Sequence, residues 1–351
     1  MALLEVRDLT VTFDTQEGKV CAVDGLDFNV ETGETLAIVG ESGAGKSQLM
    51  MAIMGLLAEN GSASGSAMFK GRDLMSMTPK ELNRIRGAEI AMIFQDPMTS
   101  LNPYLTIEKQ MTEVVVHHQG LRRDEARAHA VEMLRAVRIP DPEERIKQYP
   151  HEYSGGMRQR VMIAMGLLCA PDLLIADEPS TALDVTVQAQ ITQLIGELGE
   201  KSNMSMILIT HDLAAVAEIA SRVIVMYAGE VVETGTVNDI FYRPCHPYTQ
   251  GLLASVPRMD SSLDDPLRAI PGNPPNLQDL PAGCRFRDRC VKAVDACRSR
   301  PPVQVQDDGR TSRCFLDMMT GEVLEVPVSE EPERSGTEVL EPQAPASETV
   351  K

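Results

Sequence analysis

Residues 40–47 read Gly40-Glu41-Ser42-Gly43-Ala44-Gly45-Lys46-Ser47, which matches the pattern GxxxxGK[ST] in full. An apolar run over residues 35–39 precedes the motif and an apolar stretch follows it, so the glycines lie between a predicted strand and a predicted helix. In that context, backbone N–H groups and the positive end of the helix dipole can surround phosphate oxygens. Lys46 can then reach the β- and γ-phosphates, and Ser47 can bind Mg²⁺. The sequence therefore predicts a nucleoside triphosphate site formed by Gly40, Ser42, Gly43, Ala44, Gly45, Lys46 and Ser47.

A second part of such a site follows the apolar run 173–176, where Asp177 and Glu178 stand next to each other. A buried strand that ends in two carboxylates can supply one ligand for Mg²⁺ and one group that polarises water. Without a phosphate-binding loop, this pattern is more often a strand that ends at the surface. Because the loop is present in the same chain, the pattern favours a catalytic pair.

The arrangement of apolar runs predicts a layered α/β core. Four short runs, 35–39, 90–94, 173–176 and 205–209, each lead into polar residues, which is typical of a sheet with its site at the carboxyl ends of the strands. The region from about 98 to 168 is predicted to be a helical insertion, since Ala126, Ala130, Leu134 and Val137 share one helix face. A further amphipathic helix is predicted over residues 187–198, and a hairpin over residues 223–232.

Composition excludes small cross-linked scaffolds and fibrous chains. The 351 residues suggest two to three domains, and the 43% hydrophobic and 24% charged residues are close to the globular average. Lys and Arg number 33 against 51 Asp and Glu, for a net charge of −18. A surface with that balance argues against nucleic acid as a partner.

Targeting signals and disulfides are not expected. Glu5, Arg7 and Asp8 interrupt the N-terminus, so no secretory signal is predicted and the chain is expected to stay in the cytosol. No apolar segment reaches the roughly 18 residues of a spanning helix, so any membrane association is expected to run through a partner. Seven cysteines in a cytosolic chain are expected to be thiols or metal ligands.

The C-terminal third changes in character. Six prolines fall between residues 257 and 281, which predicts an extended connector. From residue 319 onward, eight Glu stand against Arg334 and Lys351, which predicts a disordered acidic tail. The predicted organisation is a cassette domain over 1–256 with its helical part at about 98–168, a linker over 257–283, a four-cysteine extension over 284–318 and a tail over 319–351.

Further motifs in their order along the chain resemble the ATP-binding-cassette family. Tyr153-Ser154-Gly155-Gly156-Met157 resembles the signature loop of that family, with Tyr153 and Met157 departing from its commonest form. Gln95 matches the Q-loop, Thr181-Ala182-Leu183-Asp184 the D-loop and His211 the switch histidine. Phe13 is the best candidate for the aromatic residue that stacks on adenine. The resemblance covers residues 3 to 256.

The resemblance implies a P-loop NTPase fold, with a RecA-like α/β core, an antiparallel β part and a helical subdomain. It also implies that two cassettes pack head to tail, so that Ser154, Gly155 and Gly156 of one complete the ATP site of the other. In the implied mechanism Lys46 holds phosphates, while Ser47, Gln95 and Asp177 arrange Mg²⁺. Glu178 acts as general base and His211 contacts the γ-phosphate.

Residues 243–249 resemble a segment typical of cassettes of the dipeptide, oligopeptide and nickel import group. That resemblance implies an ATPase for import of short peptides, peripheral on the cytoplasmic face of the cell membrane. It implies as partners two integral permease subunits, an extracytoplasmic solute-binding protein and a second, related ATP-binding subunit. The alternatives are import of nickel or another small solute, and a soluble ATPase acting on nucleic acid or ribosomes, for which the usual coiled-coil or zinc insertions are missing. A non-hydrolysing regulatory cassette conflicts with Glu178 and His211.

Four cysteines crowd one C-terminal segment: Cys284, Cys290, Cys297 and Cys314. Four thiols are the ligand count of a [4Fe–4S] cluster or of a structural Zn²⁺. The absence of CxxC pairs weakens zinc. Residues 284–314 carry seven Arg and one Lys against four Asp, and this local charge of +4 would offset an anionic cluster. The [4Fe–4S] cluster is therefore favoured, with Zn²⁺ and free thiols as alternatives.

Overall fold

The protein is described from a computed structural model over residues 2–95, 100–180, 184–255 and 269–324. Two sheets organise it. The strands are β1 (Leu4–Thr15), β2 (Gly18–Val30), β3 (Thr35–Val39), β4 (Gly61–Phe69), β5 (Arg72–Asp73), β6 (Ile90–Ile93), β7 (Leu173–Asp177), β8 (Ser205–Thr210), β9 (Arg222–Tyr227), β10 (Glu230–Thr236), β11 (Val303–Val305) and β12 (Thr311–Arg313). A four-stranded antiparallel sheet has the order β2-β1-β4-β5, and an eight-stranded sheet has the order β11-β12-β10-β9-β3-β8-β7-β6.

The predicted α/β core is confirmed. Strands β3, β6, β7, β8 and β9 run parallel, and their carboxyl ends meet at one edge of the large sheet. β7 is buried at all five positions and β8 at all six, which is why both read as unbroken apolar runs. The predicted hairpin is β9 with β10, paired antiparallel.

Helices cover the faces of the sheets and form the predicted insertion. They are α1 (Lys46–Ile53), α2 (Pro79–Ile85), α3 (Ile107–Gln119), α4 (Arg123–Ala136), α5 (Pro142–Arg145), α6 (Gly155–Leu167), α7 (Val185–Ser202), α8 (Leu213–Ile219), α9 (Val237–Tyr242) and α10 (Pro247–Ala254). Helices α3 to α6 pack into a buried cluster that continues onto β6 and β7. No helix in the described ranges is long and apolar enough to cross a membrane.

The C-terminal segment shares the core of the cassette. β12 pairs with β10 and β11 with β12, so residues 303–313 extend the large sheet. Phe286 and Phe315 are buried in one cluster with Tyr227 and Tyr248. Residues 257–268 of the predicted linker (257–283) and residues 325–351 of the predicted tail (319–351) lie outside the described residues.

Candidate functional site

The GxxxxGK[ST] motif forms a tight loop between the end of β3 and the start of α1. Gly45 begins α1 with φ +95°, and a Cβ there would lie 2.2 Å from the carbonyl oxygen of Ala22. Only glycine fits that conformation and that contact. Lys46 is 5% exposed, and its Nζ donates hydrogen bonds to the carbonyl oxygens of Gly40 (2.8 Å) and Glu41 (3.0 Å). The lysine therefore lies inside the loop, as a phosphate-binding lysine requires.

Burial lowers the pKa of Lys46, while the carboxylates of Glu178, Asp177 and Glu41 act in the opposite direction. The three carboxylates thus favour the charged form of a group that burial disfavours. A bound polyphosphate would add negative charge at the same place. The charge of Lys46, and not the surrounding carboxylates, is therefore what would attract an anionic ligand.

Ser47 and Asp177 meet at the amino end of α1. Ser47 Oγ donates a 3.1 Å hydrogen bond to Asp177 Oδ1, although the two residues are 130 positions apart. Burial raises the pKa of Asp177, and the Ser47 hydrogen bond counteracts that effect. Oxygen donors beside a phosphate site are the ligands that Mg²⁺ uses in nucleotide enzymes. The pair fits a magnesium ion that also holds substrate phosphates.

Glu178 lies between Gln95 and His211. Gln95 Nε2 donates a 2.8 Å hydrogen bond to Glu178 Oε2, and His211 Nδ1 lies 3.5 Å from Glu178 Oε1. The sheet order makes this possible, because β6, β7 and β8 are neighbours and each supplies one of these residues at its carboxyl end. The structure therefore brings together the three predicted catalytic residues.

The backbone of Glu178 adopts φ +47°, in the left-handed region that non-glycine residues rarely enter. Its N–H donates a 2.8 Å hydrogen bond to the carbonyl oxygen of Ile209, which holds the residue against β8. Strain of this kind costs about 1–3 kcal/mol and concentrates at functional sites. The strained backbone fixes the carboxylate where Gln95 and His211 reach it.

The signature-like residues cap a different helix. Ser154 Oγ accepts a 3.4 Å hydrogen bond from the Met157 N–H at the start of α6. Tyr153 is 2% exposed, and its hydroxyl donates a 2.7 Å hydrogen bond to the carbonyl oxygen of Arg145. Burial raises the pKa of Tyr153 to about 12. Tyr153 therefore anchors this loop within the helical region.

The predicted D-loop residues 181–183 lie outside the described residues, and Asp184 caps α7.

Two cavities border the phosphate-binding loop. One of about 400 Å³ is lined by residues 41–44, Val20 and residues 274–278. The other, of about 480 Å³, is lined by Gly40, His211 and part of the segment 269–274 among others. Ser154, Gly155 and Gly156 are not among the described residues that line either cavity. The signature-like loop is thus not brought to the chain's own phosphate-binding loop.

Phe13 was predicted to stack on adenine. In the part of the chain that the structure describes, it is not one of the residues that line these two cavities. It is partly buried against the core, and its ring lies over Gly61, where an added Cβ would come within 2.7 Å of Phe13 Cε1. Val20, its partner across the β1–β2 hairpin, lines the cavity instead. The edge strand β2, and not β1, borders the cavity.

Sequence reasoning missed the C-terminal contribution to this region. Residues 274–278 form one side of the smaller cavity, and Arg289 forms an ion pair with Glu41 of the loop at 2.5 Å. No spacing pattern links positions 248 residues apart. The one available signal was the excess of arginine between residues 284 and 314.

The four clustered cysteines line one small, largely apolar cavity together with Phe286 and Phe315. Burial raises the pKa of Cys284 to about 12 and that of Cys314 to about 11, with smaller contributions from the other thiols. In the part of the chain that the structure describes, however, no group of three or more His, Cys, Asp and Glu side chains is placed to hold a metal ion. The predicted four-cysteine metal site is therefore not confirmed.

Comparison with known proteins agrees with this geometry. The ABC transporter family matches residues 23–181. The oligopeptide transport ATP-binding protein OppD of Salmonella typhimurium is 56% identical over 89% of this chain and 93% of its own length. The chain belongs to the ATP-binding-cassette family. The oligopeptide/dipeptide transporter C-terminal region family matches residues 232–297, across the boundary expected at 257.

Other relatives and solved structures support the assignment to this family. The dipeptide transport ATP-binding protein DppD of Escherichia coli is 50% identical over 91% of this chain and 98% of its own length. A dimeric cassette in a post-hydrolysis state with ADP and phosphate aligns with a TM-score of 0.61, 26% identity, and coverage of 67% of this chain and 98% of that chain. The cassette cbiO1 of Clostridium perfringens aligns with a TM-score of 0.58 and 29% identity over 68% of this chain and 90% of that chain. Membership of this family implies ATP and Mg²⁺ as ligands.

Proposed function

We propose that this chain is the ATP-hydrolysing subunit that energises import of short peptides through a membrane permease. The observation that supports ATP hydrolysis is the contact of Glu178 with Gln95 and His211. These residues lie beside the Ser47–Asp177 pair. Short peptides are supported as the transported solute by the identity of 50–56% to oligopeptide and dipeptide transport ATP-binding proteins, over about nine-tenths of the chain. The oligopeptide/dipeptide transporter C-terminal region family also matches residues 232–297.

In the proposed reaction, Lys46 and the loop amides hold the β- and γ-phosphates of ATP. Glu178 accepts a proton from a water molecule, whose oxygen attacks the γ-phosphorus as the bond to the β-phosphate oxygen breaks and ADP leaves. His211 contacts the γ-phosphate from the next strand. Magnesium, when bound at Ser47, Asp177 and Gln95, offsets phosphate charge. Catalysis is then mainly positioning and charge stabilisation.

The proposed site is completed by a second cassette. Ser154, Gly155 and Gly156 would contact the γ-phosphate held by the partner, since they do not line this chain's own described cavities. We propose a second, related ATP-binding subunit as that partner. A heterodimer leaves each cassette with a distinct role.

The proposed contact with two integral permease subunits lies beside Gln95. A mostly apolar cavity of about 340 Å³ is lined by Met54, Leu101, Val114, Met162 and Met165 among others. It lies between β6 of the large sheet and the helical region, and its lining includes Phe94, the residue before Gln95. A permease helix seated there would link the pore to the catalytic carboxylate, with the chain peripheral on the cytoplasmic face of the membrane and an extracytoplasmic solute-binding protein delivering the peptide.

The four-cysteine cavity is proposed to hold a [4Fe–4S] cluster, with Zn²⁺ as the alternative. In a cluster each thiolate binds a different iron, so the sulfurs need not converge on one ion. The support is that all four cysteines line one cavity, with the cationic Lys292 also in its lining. When bound, such a cluster would cross-link the C-terminal segment.

The proposal is tested by deleting the gene in its host and measuring uptake of labelled di- and oligopeptides. The deletion strain is then complemented with either the wild-type gene or the Glu178→Gln variant. Loss of peptide uptake that wild type restores and Glu178→Gln does not restore is expected. Normal peptide uptake with lost nickel uptake would favour the nickel alternative. Affinity purification from membranes should also recover two permease subunits and a second cassette.

A further inference from the structure

Arg289 reaches from the C-terminal segment into the phosphate-binding loop. Its side chain is 6% exposed, and Nη1 and Nη2 donate to the two carboxylate oxygens of Glu41 at 2.5 and 3.0 Å. This bidentate geometry is the strongest form of an arginine–carboxylate contact. Glu41 raises the pKa of Arg289, so the guanidinium stays charged. Glu41 stands at an x position of the GxxxxGK[ST] motif. Its ion-pair partner, Arg289, lies in the C-terminal segment and in none of the cassette motifs.

The backbone of Glu41 is held at the same time. Its N–H donates a 2.8 Å hydrogen bond to the Tyr248 hydroxyl, and its carbonyl oxygen accepts one from Lys46 at 3.0 Å. The residue is therefore fixed through its amide, its carbonyl and its carboxylate. Because Lys46 donates to the Glu41 carbonyl oxygen, a shift of Glu41 would move a hydrogen-bond acceptor of the phosphate-binding lysine.

Arg289 also fixes the segment that faces the loop. Its Nε donates a 2.9 Å hydrogen bond to the carbonyl oxygen of Pro271, and Nη1 lies 3.3 Å from the Tyr227 hydroxyl. Residues 274–278, a few positions further on, line the 400 Å³ cavity opposite Ser42, Gly43 and Ala44. Pro274 and Pro275 restrict the backbone there. One guanidinium thus connects both sides of the cavity.

We infer that Arg289 is a positioning residue for ATP, and that residues 269–278 form an outer wall of the nucleotide site. The inference rests on the proposed ATP site. The Glu41–Arg289 pair keeps the loop and this wall at a fixed separation, so ATP enters a preorganised cavity. Breaking the pair leaves a buried charge without its partner and frees the wall to move. The C-terminal segment is in this way part of the nucleotide site.

The test is a double-mutant cycle with Glu41→Gln, Arg289→Met and their combination in the full chain. The fluorescent analogue mant-ATP gives Kd for the purified chain, and ATP hydrolysis by the assembled transporter gives KM and kcat. Each single variant is expected to raise Kd and KM about tenfold, equivalent to about 1.4 kcal/mol, because the contact is lost equally from ground and transition states. Values of kcat should stay within about twofold, and the double variant should be no worse than either single variant.

Arg298→Met is the matched control, because Arg298 is 79% exposed and pairs only weakly with Asp295 at 3.7 Å. Arg289→Lys, which keeps a cation but not the bidentate contact, covers the case in which Arg289→Met does not fold and should give an intermediate Kd. Unchanged Kd in folded variants overturns the inference, as do additive effects accompanied by a matching fall in Tm. A wild-type chain that does not bind mant-ATP would instead contradict the proposed function.

Discussion

Gln95 and Glu178, 83 residues apart in the chain, are joined by a 2.8 Å hydrogen bond from Nε2 to Oε2. The other carboxylate oxygen of Glu178 faces His211 at 3.5 Å. Each of the three side chains follows a different parallel strand, so the sheet fixes their relative positions. A change at Gln95, which follows Phe94 in the lining of the proposed permease contact, would therefore directly affect Glu178, the proposed general base.

Glu178→Gln should still bind ATP but lose hydrolysis by about 10²–10⁴-fold, the usual contribution of a general base. Glutamine keeps the size of the side chain and the same backbone strain, so the loss reports the proton acceptor. Steady-state phosphate release and mant-ATP binding measure the two effects. Glu200→Gln, at the exposed end of α7, is the control. Unchanged hydrolysis in Glu178→Gln would refute the assignment.

Lys46→Ala should weaken nucleotide binding itself. The variant removes a buried cation and leaves the Gly40 and Glu41 carbonyl oxygens without their donor. A lost charge-assisted hydrogen bond to phosphate corresponds to roughly ten- to a hundredfold in Kd. Titration with mant-ATP measures the change, and Lys201→Ala on the exposed end of α7 should behave as wild type. An unaltered Kd for Lys46→Ala would contradict the phosphate role.

Tyr153→Phe should reduce the alkaline sensitivity of the fold. Burial raises the pKa of Tyr153 to about 12, above its ordinary value near 10. Between these values the unfolded chain loses the proton first, so stability falls as pH rises, by at most about 1.4 kcal/mol per pH unit for this group. Denaturant unfolding from pH 8 to 11 should show a shallower decline for Tyr153→Phe.

At neutral pH the same variant loses the hydrogen bond to Arg145, at a cost of about 1 kcal/mol. Tyr242→Phe is the control, because Tyr242 is 82% exposed. Identical pH profiles for wild type and Tyr153→Phe would mean that Tyr153 does not titrate as described.

Protein purified without oxygen should be brown and contain about four iron atoms per chain. Cys284→Ser should lower the iron content and the visible absorbance, because it removes one of the four thiols that line the cavity. Cys169→Ser is the control, because Cys169 does not line that cavity. Stoichiometric zinc without iron, or protein with no bound metal, would exclude the cluster.

Several features were predictable because they depend on short stretches of chain. Gly45 and Lys46 follow from a motif of eight residues, and the conformation of that loop requires glycine locally. Asp177 was predicted because a buried parallel strand reads as an apolar run that ends in polar residues, and His211 because it follows such a run and matches the switch histidine of the family. Their meeting at one edge follows from the parallel sheet.

Other features could not be read from local patterns. Whether Phe13 or Val20 borders the cavity depends on which strand lies at the edge of the four-stranded sheet. That strand is β2, which carries Val20, whereas Phe13 on β1 packs against the hydrophobic core. Likewise, β11 and β12 are three residues each and carry no periodic signal, yet they extend the large sheet. Their pairing is set by contacts with β10, which is far away in sequence.

The sequence by itself determined the cassette fold and predicted the phosphate-binding loop and the residues proposed to act on ATP, because each lies in a short stretch of chain that carries a recognisable motif. Only the tertiary structure decided that Arg289 pairs with Glu41 and that residues 274–278 line the cavity beside the phosphate-binding loop. The physical reason is that a buried ion pair between distant segments forms only after the C-terminal segment packs onto the sheet, and no local pattern encodes that packing.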